Sequence, residues 1–215
     1  MINFVIATVL AYLIGSIPTA VLIGRIFYKI DIRDVGSGNA GATNTIRVLG
    51  LKAGIPVLLI DIFKGWFAVY IAHFFHDGRT TFPDAIELDI ILAFAAVIGH
   101  VLPLYVGFKG GKGIATLLGI GLALYPLSTF ITILVFVIVL LLSGYVSLGS
   151  IIASVSFPIT YIFILGNYEY PSLIVLAVAV AVFVPITHRK NIKRLFNGEE
   201  SKFKVKKKGK GKDNS

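Results

Sequence analysis

Gly107-Phe108-Lys109-Gly110-Gly111-Lys112-Gly113-Ile114-Ala115-Thr116 sets four glycines and two lysines between apolar segments. Glycine at that density gives up helix stability and frees backbone N–H groups to face a ligand, and lysine adds positive charge beside them. Such a stretch can seat an anion. It is not a Walker loop, because Gly113 stands where G-x-x-x-x-G-K-[ST] needs a hydroxyl residue. The alternative is a glycine-rich turn between membrane helices whose lysines anchor the helix ends.

A second polar stretch, Gly36-Ser37-Gly38-Asn39-Ala40-Gly41-Ala42-Thr43-Asn44-Thr45-Ile46-Arg47, has no apolar periodicity and carries one charge, at its end. The hydroxyls of Ser37 and Thr43 and the carboxamides of Asn39 and Asn44 suit phosphate oxygens, and Arg47 supplies a bidentate contact. A flexible loop built on Asx turns is the plainer alternative. Against it stand the poverty of charge and the position beside an apolar segment.

Beyond the last apolar segment comes His188-Arg189-Lys190-Asn191-Ile192. On a helix His188 and Asn191 share a face, and histidine moves a proton near neutral pH. A solvated basic stripe explains the arginines and lysines but not the His/Asn pair. Ser147 and Ser150 open another apolar segment, where serine ordinarily packs or bonds to the backbone. His100, in Gly99-His100-Val101-Leu102-Pro103, has a plain role in bonding across helices. Asp61 and Lys64 lie three apart inside an apolar segment and so share one helical face. Ionisable groups at that depth are costly and are usually functional or paired, so an internal ion pair supporting the site is expected. The histidines are too few and the carboxylates too scattered for a metal site, and no Ser-His-Asp order or nucleophile elbow is present. No metal or cofactor is expected.

These residues are carried by a chain of 215 residues that is 56% hydrophobic and 14% charged, with mean hydropathy +0.88. Soluble domains average about 25% charged residues. The composition is that of an integral membrane protein, all-α and polytopic. The apolar run from the amino end lacks a basic lead-in and a small-residue cleavage site, so it is expected to be a retained span and not a signal peptide. The chain has no cysteine, which excludes disulfides and thiolate catalysis.

Seven apolar segments can be drawn, at 3–27, 53–75, 88–108, 112–126, 127–143, 147–166 and 171–187, against the roughly 20 residues a spanning helix needs. The fourth is short, and Pro126 separates it from the fifth; without it the count falls to six. With seven spans, all twenty Lys and Arg residues except Lys64 and Arg79 fall on the side of the carboxyl end. The loop near 76–89 instead carries Asp77, Asp84, Glu87 and Asp89. The positive-inside rule then puts the amino end outside and the carboxyl end in the cytoplasm, and accounts for the net charge of +9 without nucleic acid. One transmembrane domain over 1–201 is expected, followed by a disordered basic tail at 202–215 drawn to anionic membrane lipid. The polar stretches 33–50, 107–116, 143–150 and 188–202 then meet at one membrane face, as a site requires.

Together these segments resemble the acyl-phosphate-dependent glycerol-3-phosphate acyltransferase family of bacteria. Ser37 to Asn44 with Arg47 is similar to its first signature. Gly99 to Pro103 and Phe108 to Thr116 match the second, and His188 to Ile192 with Gly198 and Glu200 the third. The likeness runs nearly end to end. One departure is Lys190, where the family commonly has an acidic residue. The resemblance implies a seven-helix enzyme of the bacterial inner membrane whose active site faces the cytoplasm. It moves an acyl group from acyl phosphate to the sn-1 hydroxyl of glycerol 3-phosphate, giving lysophosphatidic acid and phosphate in the first acylation of phospholipid synthesis. A separate enzyme would supply the acyl phosphate. On this basis Lys112 with the N–H groups of Gly110, Gly111 and Gly113 is expected to hold acyl phosphate. Ser37, Asn39, Thr43, Asn44, Arg47, Lys112, Ser147 and Ser150 are expected to contact glycerol 3-phosphate and phosphate, with His188 and Asn191 as the catalytic pair. Two other classes stand beside this one. A transporter of a phosphorylated solute should show donors at both faces and paired repeats, and a membrane scaffold should depend on its basic tail.

Overall fold

The computed structural model describes residues 2–75, 85–166 and 170–203. Ten α-helices occur among them: α1 (Ile2–Gly15), α2 (Thr19–Tyr28), α3 (Ala42–Leu49), α4 (Leu51–Tyr70), α5 (Ala85–Val101), α6 (Ile114–Leu124), α7 (Pro126–Ser143), α8 (Val146–Ile159), α9 (Pro171–Thr187) and α10 (Arg189–Phe196). Four helical stretches are long and apolar enough to cross a bilayer: Leu51–Phe74, Ala85–Val106, Pro126–Ser143 and Val146–Ile164. Two more crossings arise if α1 with α2, and α9 with α10, each count as one broken span. The protein is therefore a helical, multi-pass membrane protein. Apolar side chains left bare, such as Leu141 and Leu142 of α7 at 79% and 84% exposure, are those a lipid environment covers.

Two expected elements differ. The first apolar segment is not one helix, because Pro18 cannot continue the ladder, and α1 and α2 meet at 42°. The first polar stretch is not wholly loop either. Gly41 caps α3, Thr45 N–H donates to Gly41 C=O at 3.1 Å, and the buried Ile46 crosses Gly54 of α4. A helix of eight residues spans barely two turns, too few for a periodicity to register. The fourth apolar segment is short, as its proline signals. At 11 residues α6 is roughly 16 Å long, against a hydrocarbon core of about 30 Å. Even so, the residues flanking α6 meet opposite ends of α9. Tyr125 beyond its last turn donates to Leu173 C=O near the start of α9, at 2.7 Å, while Lys112 before its first turn meets Asn191 past the end of α9. Asp77, Arg79, Asp84 and the tail beyond residue 203 lie outside the described residues.

Helices in lipid gain little from apolar burial against one another and rely on close backbone approach. Two reciprocal glycine contacts supply it. A Cβ on Gly65 would sit 2.1 Å from Thr116 O and one on Gly119 1.9 Å from Ile62 O, so α4 and α6 touch backbone to backbone. Gly15 and Gly99 do the same for α1 and α5, at 2.2 Å from Ala96 O and 2.3 Å from Tyr12 O.

The break between α1 and α2 is pinned by charge. Lys64 Nζ of α4 donates to Ile17 C=O at 3.0 Å and pairs with Asp61 at 2.8 Å, and Thr19 Oγ1 donates to the same Asp61 oxygen at 3.0 Å. Both charged side chains are almost fully buried. Lys64→Met is expected to strand the Asp61 carboxylate and cost about 3–5 kcal/mol. Asp61→Leu/Lys64→Met should recover most of that loss; thermal unfolding in detergent compares the two.

Candidate active site

The site begins where α5 ends. Pro103 stops the helix, the chain turns through Gly107 and Phe108 at φ 69° and 59°, and it then runs back along the end of α5. Gly110 N–H donates to Val101 C=O at 3.1 Å and Gly111 N–H to His100 C=O at 3.2 Å. This corrects the expectation that both N–H groups face a ligand: they cap the open carbonyls of α5. Glycine is required there by proximity, since a Cβ at Gly110 would lie 2.0 Å from His100 O and one at Gly111 2.3 Å from the His100 ring. What remains for an anion is Lys112, its own N–H and that of Gly113, and the first-turn N–H groups of α6, which have no intrahelical partner. Gly113 makes the entry to α6 at φ 81°.

Lys112 Nζ donates to Asn191 Oδ1. Asn191 Nδ2 in turn donates to Glu200 Oε1 at 2.7 Å, Ser147 Oγ donates to that same oxygen at 2.7 Å, and Arg194 Nε donates to Glu200 Oε2 at 2.8 Å. Burial works against the Glu200 charge, but the bonds from Arg194, Asn191 and Ser147 outweigh it and keep the carboxyl below its ordinary range. Lys112 is pushed down to about 8, first by burial and then by the charges of Arg194 and Arg47, with Glu200 pulling the other way. The charges of Arg194 and Arg47 thus act on Lys112 beside the single Glu200 carboxylate, which pairs with Arg194 alone, leaving a positive excess suited to a phosphate.

His188 forms the corner between α9 and α10, which meet at 60°. Its Nδ1 lies 2.9 Å from Val184 O. A carbonyl only accepts, so Nδ1 carries the proton and Nε2 keeps a lone pair. Burial and the Lys112 charge push His188 down to about 4, and the ring is neutral at pH 7.

The loop at 36–41 abuts the glycine stretch next to Lys112, with Ala40 O close to Gly111. Ser37 is exposed, while Asn39, Thr43 and Arg47 are half-buried. Asn44 is otherwise placed. It is fully buried, accepts from Ser37 N–H at 2.8 Å and donates to Ile32 and Val35 C=O at 3.0 Å each, so its amide shapes the loop. Ser150 Oγ donates to Val146 C=O at 3.0 Å within α8. Lys190 is exposed. His100 is buried, with Nδ1 3.8 Å from Asp61, beyond hydrogen-bonding reach. An apolar groove of about 150 Å³ lies among α5, α6 and α9, lined by Val97, Val101, Leu117, Ile120, Val180 and Phe183 among others. Val97, Val101 and Phe183 also approach Gly113, so groove and anion seat adjoin.

Sequence reasoning placed Glu200 in the third signature without giving it a contact, and assigned no role to Arg194. A further signal was the acidic pair of Glu199 and Glu200 inside a strongly basic stretch.

Residues 5–198 match the family model described as glycerol-3-phosphate acyltransferase. A glycerol-3-phosphate acyltransferase of Listeria monocytogenes is 45% identical over 94% of this chain and 98% of the relative. One from Chlorobaculum tepidum is 44% identical over 94% and 97%. Two solved structures of PlsY, an integral membrane glycerol 3-phosphate acyltransferase, are also similar. The glycerol 3-phosphate form has a TM-score of 0.82 at 35% identity, and the lysophosphatidic acid form 0.79 at 34%, each over 94% of this chain and 96% of that one.

With Lys112 near 8, its charge is full below that pH and lost as pH rises through it. The kcat/KM for a phosphate-bearing substrate is therefore expected to fall above about pH 8. Glu200 raises the Lys112 value, so Glu200→Gln should move that alkaline limb to lower pH; initial rates between pH 6 and 10 report both.

Proposed function

Because the chain belongs to the glycerol-3-phosphate acyltransferase family, we propose that it transfers an acyl group from acyl phosphate to the sn-1 hydroxyl of glycerol 3-phosphate, releasing lysophosphatidic acid and inorganic phosphate. The observation that carries this reading is an anion seat with excess positive charge at the mouth of an apolar groove. Two phosphates and one acyl chain need that combination. A transporter would spread its donors over both faces, whereas here they gather at one end of the bundle.

In this reading Lys112 and the amino end of α6 hold the acyl phosphate head, and its chain lies in the groove. Arg47 with Ser37, Asn39 and Thr43 seats glycerol 3-phosphate. Asn44 shapes that loop from within. Asn191 is a positioning residue: it holds Lys112 on one side and Glu200 on the other. Ser147 steadies Glu200, and Ser150 steadies the first turns of α8.

Acyl phosphate is already activated, so the sn-1 oxygen attacks the carbonyl carbon directly and the bond from that carbon to the phosphate oxygen breaks. No enzyme nucleophile is needed. A histidine near 4 is too weak a base to take the hydroxyl proton efficiently at pH 7. His188 Nε2 instead accepts a hydrogen bond that orients the hydroxyl, and the proton ends on the departing phosphate.

The topology belongs to the same proposal: seven crossings with α6 as the short fourth, amino end outside, carboxyl end inside, and the site on the cytoplasmic face of the bacterial inner membrane. The distribution of Lys and Arg supports it. Residues 1–201 form the catalytic domain and 202–215 a tail drawn to anionic lipid, and the acyl phosphate comes from a separate enzyme.

Purified protein in detergent, given labelled glycerol 3-phosphate, is expected to form lysophosphatidic acid with palmitoyl phosphate and none with palmitoyl-CoA. Product with the thioester alone would overturn the donor assignment. Lys112→Ala is expected to lose at least about a hundredfold in kcat/KM, the scale of a preorganised charged donor. His188→Gln, whose amide still accepts, should lose less than His188→Ala.

A further inference from the structure

Arg33 lies outside the residues assigned above, in a short turn over Ile32–Asp34 just before the 36–41 loop. Its side chain is only 19% exposed, and the guanidinium reaches in two directions. Nε and Nη2 donate to the two oxygens of Asp31 at 3.0 and 2.8 Å. Nη1 donates to Val106 C=O at 2.9 Å and lies 3.5 Å from Lys109 C=O. Asp31 also accepts from the Arg33 N–H at 3.0 Å and from Arg25 Nη2 at 2.8 Å, which fixes the carboxylate.

Val106 and Lys109 bracket Gly107 and Phe108, the two consecutive left-handed residues of the glycine strand. Left-handed geometry costs glycine nothing, but it is strained for a bulky side chain such as phenylalanine. The Phe108 side chain is 54% exposed, so burial does little to offset the strain. The carbonyls on either side of the turn instead converge on one cation. From that turn the chain proceeds directly to Gly110 and Gly111 on α5, then to Lys112.

We propose that Arg33 is a positioning residue for acyl transfer, clamping the strained Gly107-Phe108 turn so that Lys112 and the amino end of α6 are set for a phosphoryl group before substrate arrives. Because Arg33 also sits beside Ile32 and Val35, whose carbonyls take the Asn44 amide, it ties the 36–41 loop to the glycine strand. This inference rests on the acyltransferase reading, and product formation by the wild-type protein tests that reading separately.

Arg33→Lys keeps the charge and loses the fork. Without the clamp the competent loop is a minor state, so the apparent affinity falls while saturating substrate restores it. The expected result is a KM for palmitoyl phosphate raised about tenfold with kcat within about twofold of wild type. Amide exchange should quicken at Gly110 and Gly111 and stay unchanged over residues 92–97. Adding Phe108→Gly to Arg33→Lys removes the strain and should return KM to within about threefold of wild type. An unchanged KM in Arg33→Lys, exchange that quickens equally through α5, or a double variant no better than the single one would each overturn the clamp.

Discussion

A carbonyl released from a helix inside hydrocarbon must find a donor, and the bundle meets that demand at the α1–α2 break with Lys64. The ammonium reaches Ile17 C=O only because Asp61 balances it one helical turn away. An ion pair this deep adds little net stability compared with an apolar replacement. Its contribution is geometric. It fixes where the first span bends, and therefore where α2 delivers the chain to Asp31, Arg33 and the 36–41 loop. His100, beside the same carboxylate, belongs to the helix end on which the glycine strand folds back.

The polar cluster at the site solves a different problem. A lysine bonded directly to a carboxylate would be neutralised and lost to an anion, whereas a lysine buried alone would shed its proton. Asn191 stands between Lys112 and Glu200, passing on the carboxylate's influence through an amide without closing an ion pair. Among the described residues Lys112 forms no salt bridge. Its charge is favoured at neutral pH by a neighbour it does not touch. Glu200 is in turn anchored by Arg194 and Ser147, which join α10 and α8.

Much of the membrane architecture was legible in the sequence because it follows from length and apolarity, which are local. The long spans fall close to the segments drawn for them, and Pro126 marked the short helix correctly. The break at Pro18 was missed because the run 3–27 stays predominantly apolar across it, and hydropathy does not register a bend whose cost is met by Lys64 from another helix. At the proposed site, Lys112, Asn191 and His188, singled out by residue type, do converge. Partnership was not legible. Asn44 looks like a ligand donor by type, and three of its hydrogen bonds close its own loop; Asn191, expected in the catalytic pair, bonds to Lys112 on one side and Glu200 on the other. Those outcomes depend on long-range contacts that no local pattern carries.

The glycines make the same point most sharply. In a soluble phosphate loop, dense glycine ordinarily means backbone offered to a ligand. In lipid a competing demand exists, since helices pack through small residues. Gly65, Gly119, Gly15 and Gly99 all meet a facing backbone, and Gly110 and Gly111 extend that habit into the loop, where they let the strand lie against the end of α5. Only Gly113, at the entry to α6, is left over from that packing, and it is there that the proposed anion seat begins. The glycine-rich stretch is therefore a packing segment that sets its own position against α5, followed by the short entry to α6 in which the proposed anion seat lies.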